Sequence, residues 1–389
     1  MVDRRADFME TLASIASFGG SMLSYILPFL FVLTVVVFFH ELGHFIVARW
    51  CKVTVRTFSI GFGGEIFGFN DKKGTRWRLS WVPLGGYVKF LGDNDAASTP
   101  DRGSMQEMTQ EELAGSFHAK PLASRAAVVA AGPIANFLLA IVIFAFMFTF
   151  IGQRQILPII DAVTPGSAAE QAGFKPGDLI RSIDGKSIES FGEIQRIVSI
   201  SSGQELTILV DRAGSELALK ATPHMRETTD VFGNKIRRGL LGIRRSASPE
   251  DWTLKKYDPL TALWKGTEQT YFVISRTLYY LYEVVTGRQD ADQLGGPIRI
   301  AQVSGQVASA GFFALLNLAA VLSVSIGLIN LFPIPMLDGG HLLFYAIEAI
   351  RGRPLSERIQ EIGFRIGLAL VLMLMVFATW NDLIHLTSL

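Results

Sequence analysis

Four stretches of the sequence, at about 22–48, 126–151, 312–337 and 362–380, stay apolar for long enough to cross a bilayer as helices. The segments between them follow other periods. Thr75-Arg76-Trp77-Arg78-Leu79-Ser80-Trp81 alternates apolar and polar side chains behind the turn-forming run Asn70-Asp71-Lys72-Lys73-Gly74, so Val53 to Phe90 predicts β structure with a hairpin. The pairs Gly63-Gly64 and Gly85-Gly86 permit bends or a close backbone approach. Asp93 to Gly115 is polar and predicts a mobile loop. Past the second span, strands at 157–163, 179–183, 205–210 and 216–222 and helices at 167–172 and 191–200 predict a compact α+β module. A Tyr- and Trp-rich amphipathic stretch at roughly 257–286 then predicts a helix that either lies at a membrane–water interface or packs on the module, ended by Gly295-Gly296-Pro297.

Composition agrees with a mixed membrane and aqueous protein: 389 residues, 49% of them hydrophobic, at a mean hydropathy of +0.34. A net charge of +1 gives no case for a nucleic-acid partner. The single cysteine, Cys51, excludes an intrachain disulfide and any multi-cysteine metal site. The first twenty residues mix acidic and basic side chains without a basic leader and cleavage site, so the first apolar run is expected to be a retained span. Arg49, Lys52, Arg56, Lys120, Arg125, Arg351, Arg353 and Arg358 all fall in the loops after span one, before span two and between spans three and four. By the positive-inside rule those loops are cytoplasmic, which places both termini and the 152–311 region outside.

The chemistry centres on His40-Glu41-Leu42-Gly43-His44 at the end of the first span. On a helix the two histidines stand one turn apart on one face, as a tetrahedral Zn²⁺ requires, and Glu41 stands beside them to take a proton from water. Asp338 falls at the end of the third apolar run, after Pro333 and Pro335, which must interrupt the helical hydrogen-bond ladder. Spans one and three run in the same direction, so Asp338 lies at matching depth and completes a His₂-carboxylate set with one open position, the arrangement of a catalytic zinc. Gly132-Pro133-Ile134-Ala135-Asn136 opens span two; its small residues permit tight helix packing, and Asn136 either bonds across that packing or acts at the substrate. His341 is expected in a supporting or interfacial role, while His118, His224 and His385 are expected to be solvated and Cys51 inert.

Pro165-Gly166-Ser167-Ala168-Ala169-Glu170-Gln171-Ala172-Gly173-Phe174-Lys175-Pro176-Gly177-Asp178 resembles the most recognisable stretch of circularly permuted bacterial PDZ domains. Such domains bind peptide strands or C-termini by β-addition; Gly239 to Ile243 is either the carboxylate-binding loop or a connecting strand. The histidine motif in a first span, Asn330 with Pro333, Pro335 and Leu337-Asp338-Gly339 in a third, and a PDZ-like module between spans two and three resemble the site-2 protease family of intramembrane zinc metalloproteases. Within it the chain is most similar to the bacterial sigma-E-regulating, RseP-type branch, whose membrane-associated β-hairpin Gly61-Phe62-Gly63 also fits. The better-known members carry two tandem PDZ domains, whereas 152–250 has room for one.

The resemblance implies a polytopic α-helical membrane protein of four transmembrane helices, with a membrane-associated β-hairpin region and an extracytoplasmic α+β PDZ domain, in the bacterial inner membrane. Its divisions are then 1–151 (helices one and two with the hairpin), 152–250 (PDZ), 251–311 (linker helix) and 312–389 (helices three and four). It implies one Zn²⁺ per chain on His40, His44 and Asp338, with Glu41 as general base. Asn330, Pro333, Pro335 and Asn136 would serve substrate or oxyanion binding, and Trp77, Leu79, Trp81, Gly85 and Gly86 a substrate-pairing edge strand. Substrates would be single-pass membrane proteins already trimmed outside, such as an anti-sigma factor or a remnant signal peptide, with membrane lipid as the surrounding partner. The competing class is a non-catalytic PDZ-containing membrane receptor or scaffold holding a structural metal, which has no need of Glu41.

Overall fold

A computed structural model describes residues 3–93, 103, 107–229, 235–245, 252–289 and 295–387. The chain divides into two compact units, 1–143 with 294–389 and 144–293. In the first, helix α1 (Asp3–Trp50) carries the first apolar span and ends on the histidine motif. A long ribbon follows, β1 (Val55–Asn70) and β2 (Arg76–Phe90), turned by Asp71, whose carboxylate accepts from the N–H groups of Lys73 and Thr75, both at 2.9 Å.

The ribbon folds on itself. Thr57 to Ile60 pair with Lys89 to Gly86 on one side and with Arg76 to Leu79 on the other, and Phe67 to Asn70 pair with Leu79 to Arg76. Residues 76–79 are therefore interior to the sheet and 86–90 form an edge. Phe58, Val88 and Phe90 bury with Ala48, Phe117, Val128 and Val129, which seats the ribbon on α1 and on the second span. The expected polar loop at 93–115 lies largely outside the described residues; its end is a short helix, α2 (Gln110–Gly115), capped reciprocally by Thr109 and Glu112. Helix α3 (Leu122–Phe146) keeps Pro133 within it and is extended by a π-helical turn to Ile151.

The second unit begins with β3 (Gln153–Ile156) and β4 (Ala162–Val163). The strand expected at 157–163 shrinks to β4 and an isolated bridge from Ile159 to Leu179, because Pro158 offers no ladder donor. After α4 (Ala168–Gln171) come β5 (Leu179–Ile183), β6 (Lys186–Ser187), α5 (Phe191–Ile200), β7 (Leu206–Arg212) and β8 (Ser215–Ala221). The four strands form one sheet in the order β6-β5-β7-β8. Its apolar face packs on α5 through Ile180, Ile183, Ile194, Val198, Ile208 and Val210. Short pairs complete the unit: β9 (His224–Thr229) with β10 (Lys235–Leu240), β11 (Ile243–Arg244) with β4, and β12 (Trp252–Lys255) with β3. The Asp178 side chain is fully buried and takes both Nε and Nη2 of Arg212 at 2.7 Å.

Helix α6 (Pro259–Val285) starts on Asp258, which accepts from the N–H groups of Leu260 and Thr261 at 3.1 Å. One face meets α5, where Arg196 donates to Gln269 at 2.7 Å and Lys265 approaches Glu193 at 3.3 Å. The other exposes Leu260, Trp264, Tyr271, Leu278, Tyr282 and Val285, a single stripe at helical spacing. Of the two roles expected for this segment, packing on the module is the one that the contacts of α6 with α5 show.

Back in the first unit, α7 (Pro297–Ser309) starts at Gly296 and is capped from afar by the buried Asp382, which accepts from the N–H groups of Gly296, Ile298 and Arg299 at 2.8–3.1 Å. The 251–311 linker helix of the sequence reading is therefore two helices, α6 and α7, belonging to different units: α6 already ends at Val285, capped by Thr286, and Gly296-Pro297 is the cap and first turn of α7 rather than the stop of α6. Helix α8 (Phe312–Asn330) follows, then α9 (Asp338–Arg351) and α10 (Glu357–Thr387). The third apolar run was expected to continue to 337 with Asp338 closing it. The helix instead stops at Asn330, and Asp338 opens α9. Pro333 and Pro335 break the ladder, and Met336 turns at φ 91°. Among the described residues four helices are long and apolar enough to cross a membrane: Leu23–Trp50, Leu122–Ile151, Phe312–Asn330 and Arg358–Ile384.

Candidate metal centre

The last turns of α1 bring His40 and His44 to one side, where the missing Cβ of two glycines allows close approach. A Cβ on Gly43 would stand 2.3 Å from the carbonyl oxygen of Ala131 and 2.7 Å from Cβ of Ala135, so this glycine sets the crossing of α1 with α3. One on Gly132 would stand 2.2 Å from Nε2 of His44, so the backbone of α3 lies directly against the imidazoles. Asp338 arrives from the start of α9, held by the close packing of Gly339 and Gly340 on the backbone of Leu331 and Ile334.

The Nε2 atoms of His40 and His44 are 3.3 Å apart, and Oδ2 of Asp338 is 3.2 Å from the first and 3.6 Å from the second. Four-coordinate zinc bonds of about 2.0–2.2 Å span tetrahedral edges of roughly 3.3–3.6 Å, which these separations match. Nδ1 of His44 lies 2.9 Å from the carbonyl oxygen of Val128. A carbonyl can only accept, so Nδ1 carries the proton and Nε2 presents a lone pair. Nδ1 of His40 faces the amide of the fully buried Asn136 at 3.2 Å, and the amide orientation that presents Oδ1 satisfies it in the same way. Oδ2 of Asp338 is buried and receives no hydrogen bond. Two nitrogen lone pairs and a carboxylate oxygen thus converge with no proton between them, a repulsive arrangement that a cation resolves. Among the described residues these three form the one His, Cys, Asp or Glu group able to hold a metal.

Glu41 lies against the sheet edge: a Cβ on Gly86 would stand 2.9 Å from Cγ of Glu41 and 2.9 Å from Cγ1 of Val37. Gly85 sits beside it at φ 146° with Phe62 across it. The remaining hairpin residues separate. Trp77 and Leu79 lie on the doubly paired segment, Trp77 stacked on Phe58 at 4.2 Å, so they are not on an edge as expected. Trp81, 70% exposed, pairs through its neighbours with the outer part of β1. Asn330 ends α8, and Pro333 and Pro335 lie in the loop leading to Asp338, with Gly367 of α10 packed on the carbonyl of Pro335. Asn136 points at His40, which suits a positioning role rather than the substrate contact implied for it.

His118 is not solvated: Nε2 lies 3.0 Å from the buried carboxylate of Asp93, which also accepts from Phe90 N–H and so ties the edge segment to the approach of α3. His341 packs on the Phe364 ring at 5.3 Å, and the side chain of His385 lies outside the described residues. The roles of Gly132, of the Val128 carbonyl and of Asp382 were not anticipated from sequence; only the small-residue run around Gly132 signalled a close approach there.

A His₂-carboxylate centre with a free carboxylate alongside, set among apolar helices, defines a metal-dependent hydrolase of the membrane. Comparison with known proteins makes this specific. The model of Peptidase family M50 matches residues 28–374, and the chain belongs to this family, the site-2 proteases. Atu1380 of Agrobacterium fabrum, whose name assigns it provisionally to the zinc metalloproteases, is 52% identical over 94% of this chain and 97% of its own length. The metalloprotease MmpA of Caulobacter vibrioides is 39% identical over 91% of this chain and 94% of its own. The PDZ domain of an SdrC-like protein of Listeria monocytogenes matches 22% of the chain and 82% of its own length at 21% identity and a TM-score of 0.17. The chain is a zinc metalloprotease and a membrane protein with four apolar helices.

Proposed function

We propose that this metalloprotease cuts single-pass membrane proteins within the bilayer, near its cytoplasmic face, in the inner membrane of a bacterium. The observation that supports this is the site's position: Glu41 and both histidines occupy the end of one apolar helix, and Asp338 follows another across a proline-broken loop. In this reading the basic loops, by the positive-inside rule, support a cytoplasmic position for that end of α1, with both termini and the 152–250 module outside.

Zinc held by His40, His44 and Asp338 would supply a Lewis acid that acidifies water and polarises the scissile carbonyl. Glu41 takes one proton from the attacking water and delivers it to the leaving amine, while the remaining hydroxyl joins the carbonyl carbon as the C–N bond breaks. Val128 and Asn136 hold the two imidazoles with Nε2 toward the cation. The substrate must be extended before its carbonyl is accessible, and the 86–90 edge beside Glu41 offers backbone groups to pair with it. Asn330, Pro333 and Pro335 line the approach to Asp338 in this scheme, Asn330 serving the substrate backbone or oxyanion. The 152–250 module acts as a PDZ-type filter that admits substrates already trimmed outside, of the anti-sigma or remnant signal peptide kind.

The test is cleavage of a reconstituted single-pass substrate, with zinc content measured in parallel. Glu41→Gln is expected to keep its zinc and lose about 10²–10⁴-fold in rate. Undiminished cleavage by that variant refutes the mechanism; a zinc-loaded, inactive wild type favours the scaffold reading.

A further inference from the structure

The row of Trp77, Phe58 and Val88 in the folded ribbon buries toward the helices. The neighbouring row of Arg78, Ser59 and Tyr87 therefore takes the opposite face, with Ser59 paired to Arg78 on one side and to Tyr87 on the other. Ser59 is fully buried. Its hydroxyl donates to the carbonyl of Gly61 at 3.0 Å and accepts from Nε of Arg78 at 3.1 Å. The guanidinium carbon of Arg78 lies 5.2 Å from the centre of the Tyr87 ring, on which Phe62 stacks at 6.1 Å.

Neighbouring strands lie about 4.8 Å apart, so the backbones of Arg78 and Tyr87 stand roughly 10 Å from each other across this row. The side chain of Arg78 therefore runs over Ser59 toward the 86–90 edge, and its charged end comes to rest at the last side chain before that edge. The bond from Nε to Ser59 fixes its direction. Among the described residues the terminal nitrogens of Arg78 form no hydrogen bond. Glu65 lies within range of its charge, but both oxygens of that carboxylate are engaged by Arg76, one by Nε at 3.2 Å and the other by Nη2. Lys89 stands on the same face, two residues along the edge from Tyr87.

We infer that Arg78 is a specificity-determining residue of the peptidase reaction, receiving a carboxylate side chain of the substrate. This rests on the proposed pairing of the substrate with the 86–90 edge. A strand added there extends the row by one place, with its side chain about 5 Å beyond that of Tyr87. Its successive side chains alternate between the Arg78 face and the face of Gly86 and Glu41. A glutamate on the Arg78 face reaches past the Tyr87 ring and meets the guanidinium in a charge-assisted hydrogen bond. Its neighbours in sequence point to the metal side instead. Substrates are thus selected for an acidic side chain at one position of the extended segment, on the face away from the metal.

The full-length enzyme is reconstituted in phosphatidylcholine vesicles with a single-pass polypeptide that it cleaves. Glutamate is placed at one position of the cut segment at a time, with glutamine at the same position as reference. At positions of one parity, and most strongly at one of them, glutamate is expected to lower KM by about fivefold or more. Arg78→Gln should abolish that preference and Arg78→Lys retain part of it. Arg78→Glu should turn it into a preference for lysine at the same position, a reversal that no loss of folding produces; zinc content and thermal melting are read on each variant. A proline scan of the same segment tests the pairing separately, since proline removes an N–H and should suppress cleavage at alternate positions whatever stands at position 78. Equal KM for glutamate and glutamine throughout, or a preference undiminished in Arg78→Gln, overturns the role of Arg78, and an alternating proline pattern then leaves the edge pairing standing. A flat proline scan overturns the pairing and the proposal with it. If the loss in Arg78→Gln is the same for glutamate and glutamine substrates and arises only in vesicles containing phosphatidylglycerol, Arg78 contacts lipid and the proposal falls.

Discussion

Replacing Gly132 by alanine should expel the metal while leaving the helices intact. The added Cβ would fall 2.2 Å from Nε2 and 2.5 Å from Cε1 of His44, and 2.9 Å from Cε1 of His40. Ordinary contact begins near 3.4 Å, so the His44 nitrogen must retreat by about 1.2 Å, several times the roughly 0.2 Å that metal–ligand bonds tolerate. The ring can swing only by giving up its 2.9 Å bond to the Val128 carbonyl. Loss of one ligand's alignment and its supporting bond predicts at least a 100-fold fall in zinc affinity, about 2.7 kcal/mol. Alanine is at the same time the better helix former, by about 1 kcal/mol, so the metal-free variant should melt no lower than metal-free wild type. Zinc retained after dialysis against a graded series of chelator buffers, measured by mass spectrometry, reads the first quantity and thermal melting the second. A Gly132→Ala protein that keeps zinc at wild-type affinity would refute the geometry on which the site is built.

Three further outcomes follow from other parts of the molecule. Asn136→Leu should lower zinc affinity by about 10–100-fold, because His40 loses the group that orients Nδ1; Asn136→Asp, which still accepts from Nδ1–H, should lose less in the same chelator titration. Asp382→Ala removes the acceptor for three N–H groups at the start of α7 and should cost about 1–3 kcal/mol in chemical unfolding of the metal-free protein. Burial by itself would raise the Asp178 carboxyl, but Arg212 and the Lys175 N–H outweigh it and hold it below its ordinary value. A depressed carboxylate contributes stability above its unfolded-state pKa and loses it as the pH falls. The second unit should accordingly weaken below about pH 4, and Asp178→Asn, already lacking that charge, should show a flatter acid limb in pH-dependent melting.

Much of this could be read along the chain because the controlling interactions are local. Apolar length decides whether a helix can span lipid. The four-residue spacing of His40 and His44 fixes their shared face, and Asn70 to Gly74 contains its own turn chemistry. The helix at 191–200 was legible for the same reason, with Ser190 as its cap and Glu193 in its first turn. Family membership was legible as well, since the histidine and Asp338 motifs are short and specific.

Other features depend on contacts between distant residues, which periodicity does not encode. The alternation around Trp77 marks a strand but says nothing about whether one or both of its sides are paired; folding of the ribbon made 76–79 interior and brought Gly86 to Glu41. The small-residue run at Gly132 announced close packing without naming the imidazoles that fill the space. Asn136 and Val128 acquired their partners only when α3 crossed α1, and Asp382 became a cap only when α10 met α7. Pro333 and Pro335 announced a break in the third apolar run, but the run continues to 337 in hydropathy, and only the structure shows that the helix already ends at Asn330 and that Asp338 opens the next one. By itself, then, the sequence determined which chemistry the protein carries. Tertiary structure decided which atoms face the cation, because orientation is set by packing across elements nearly three hundred residues apart.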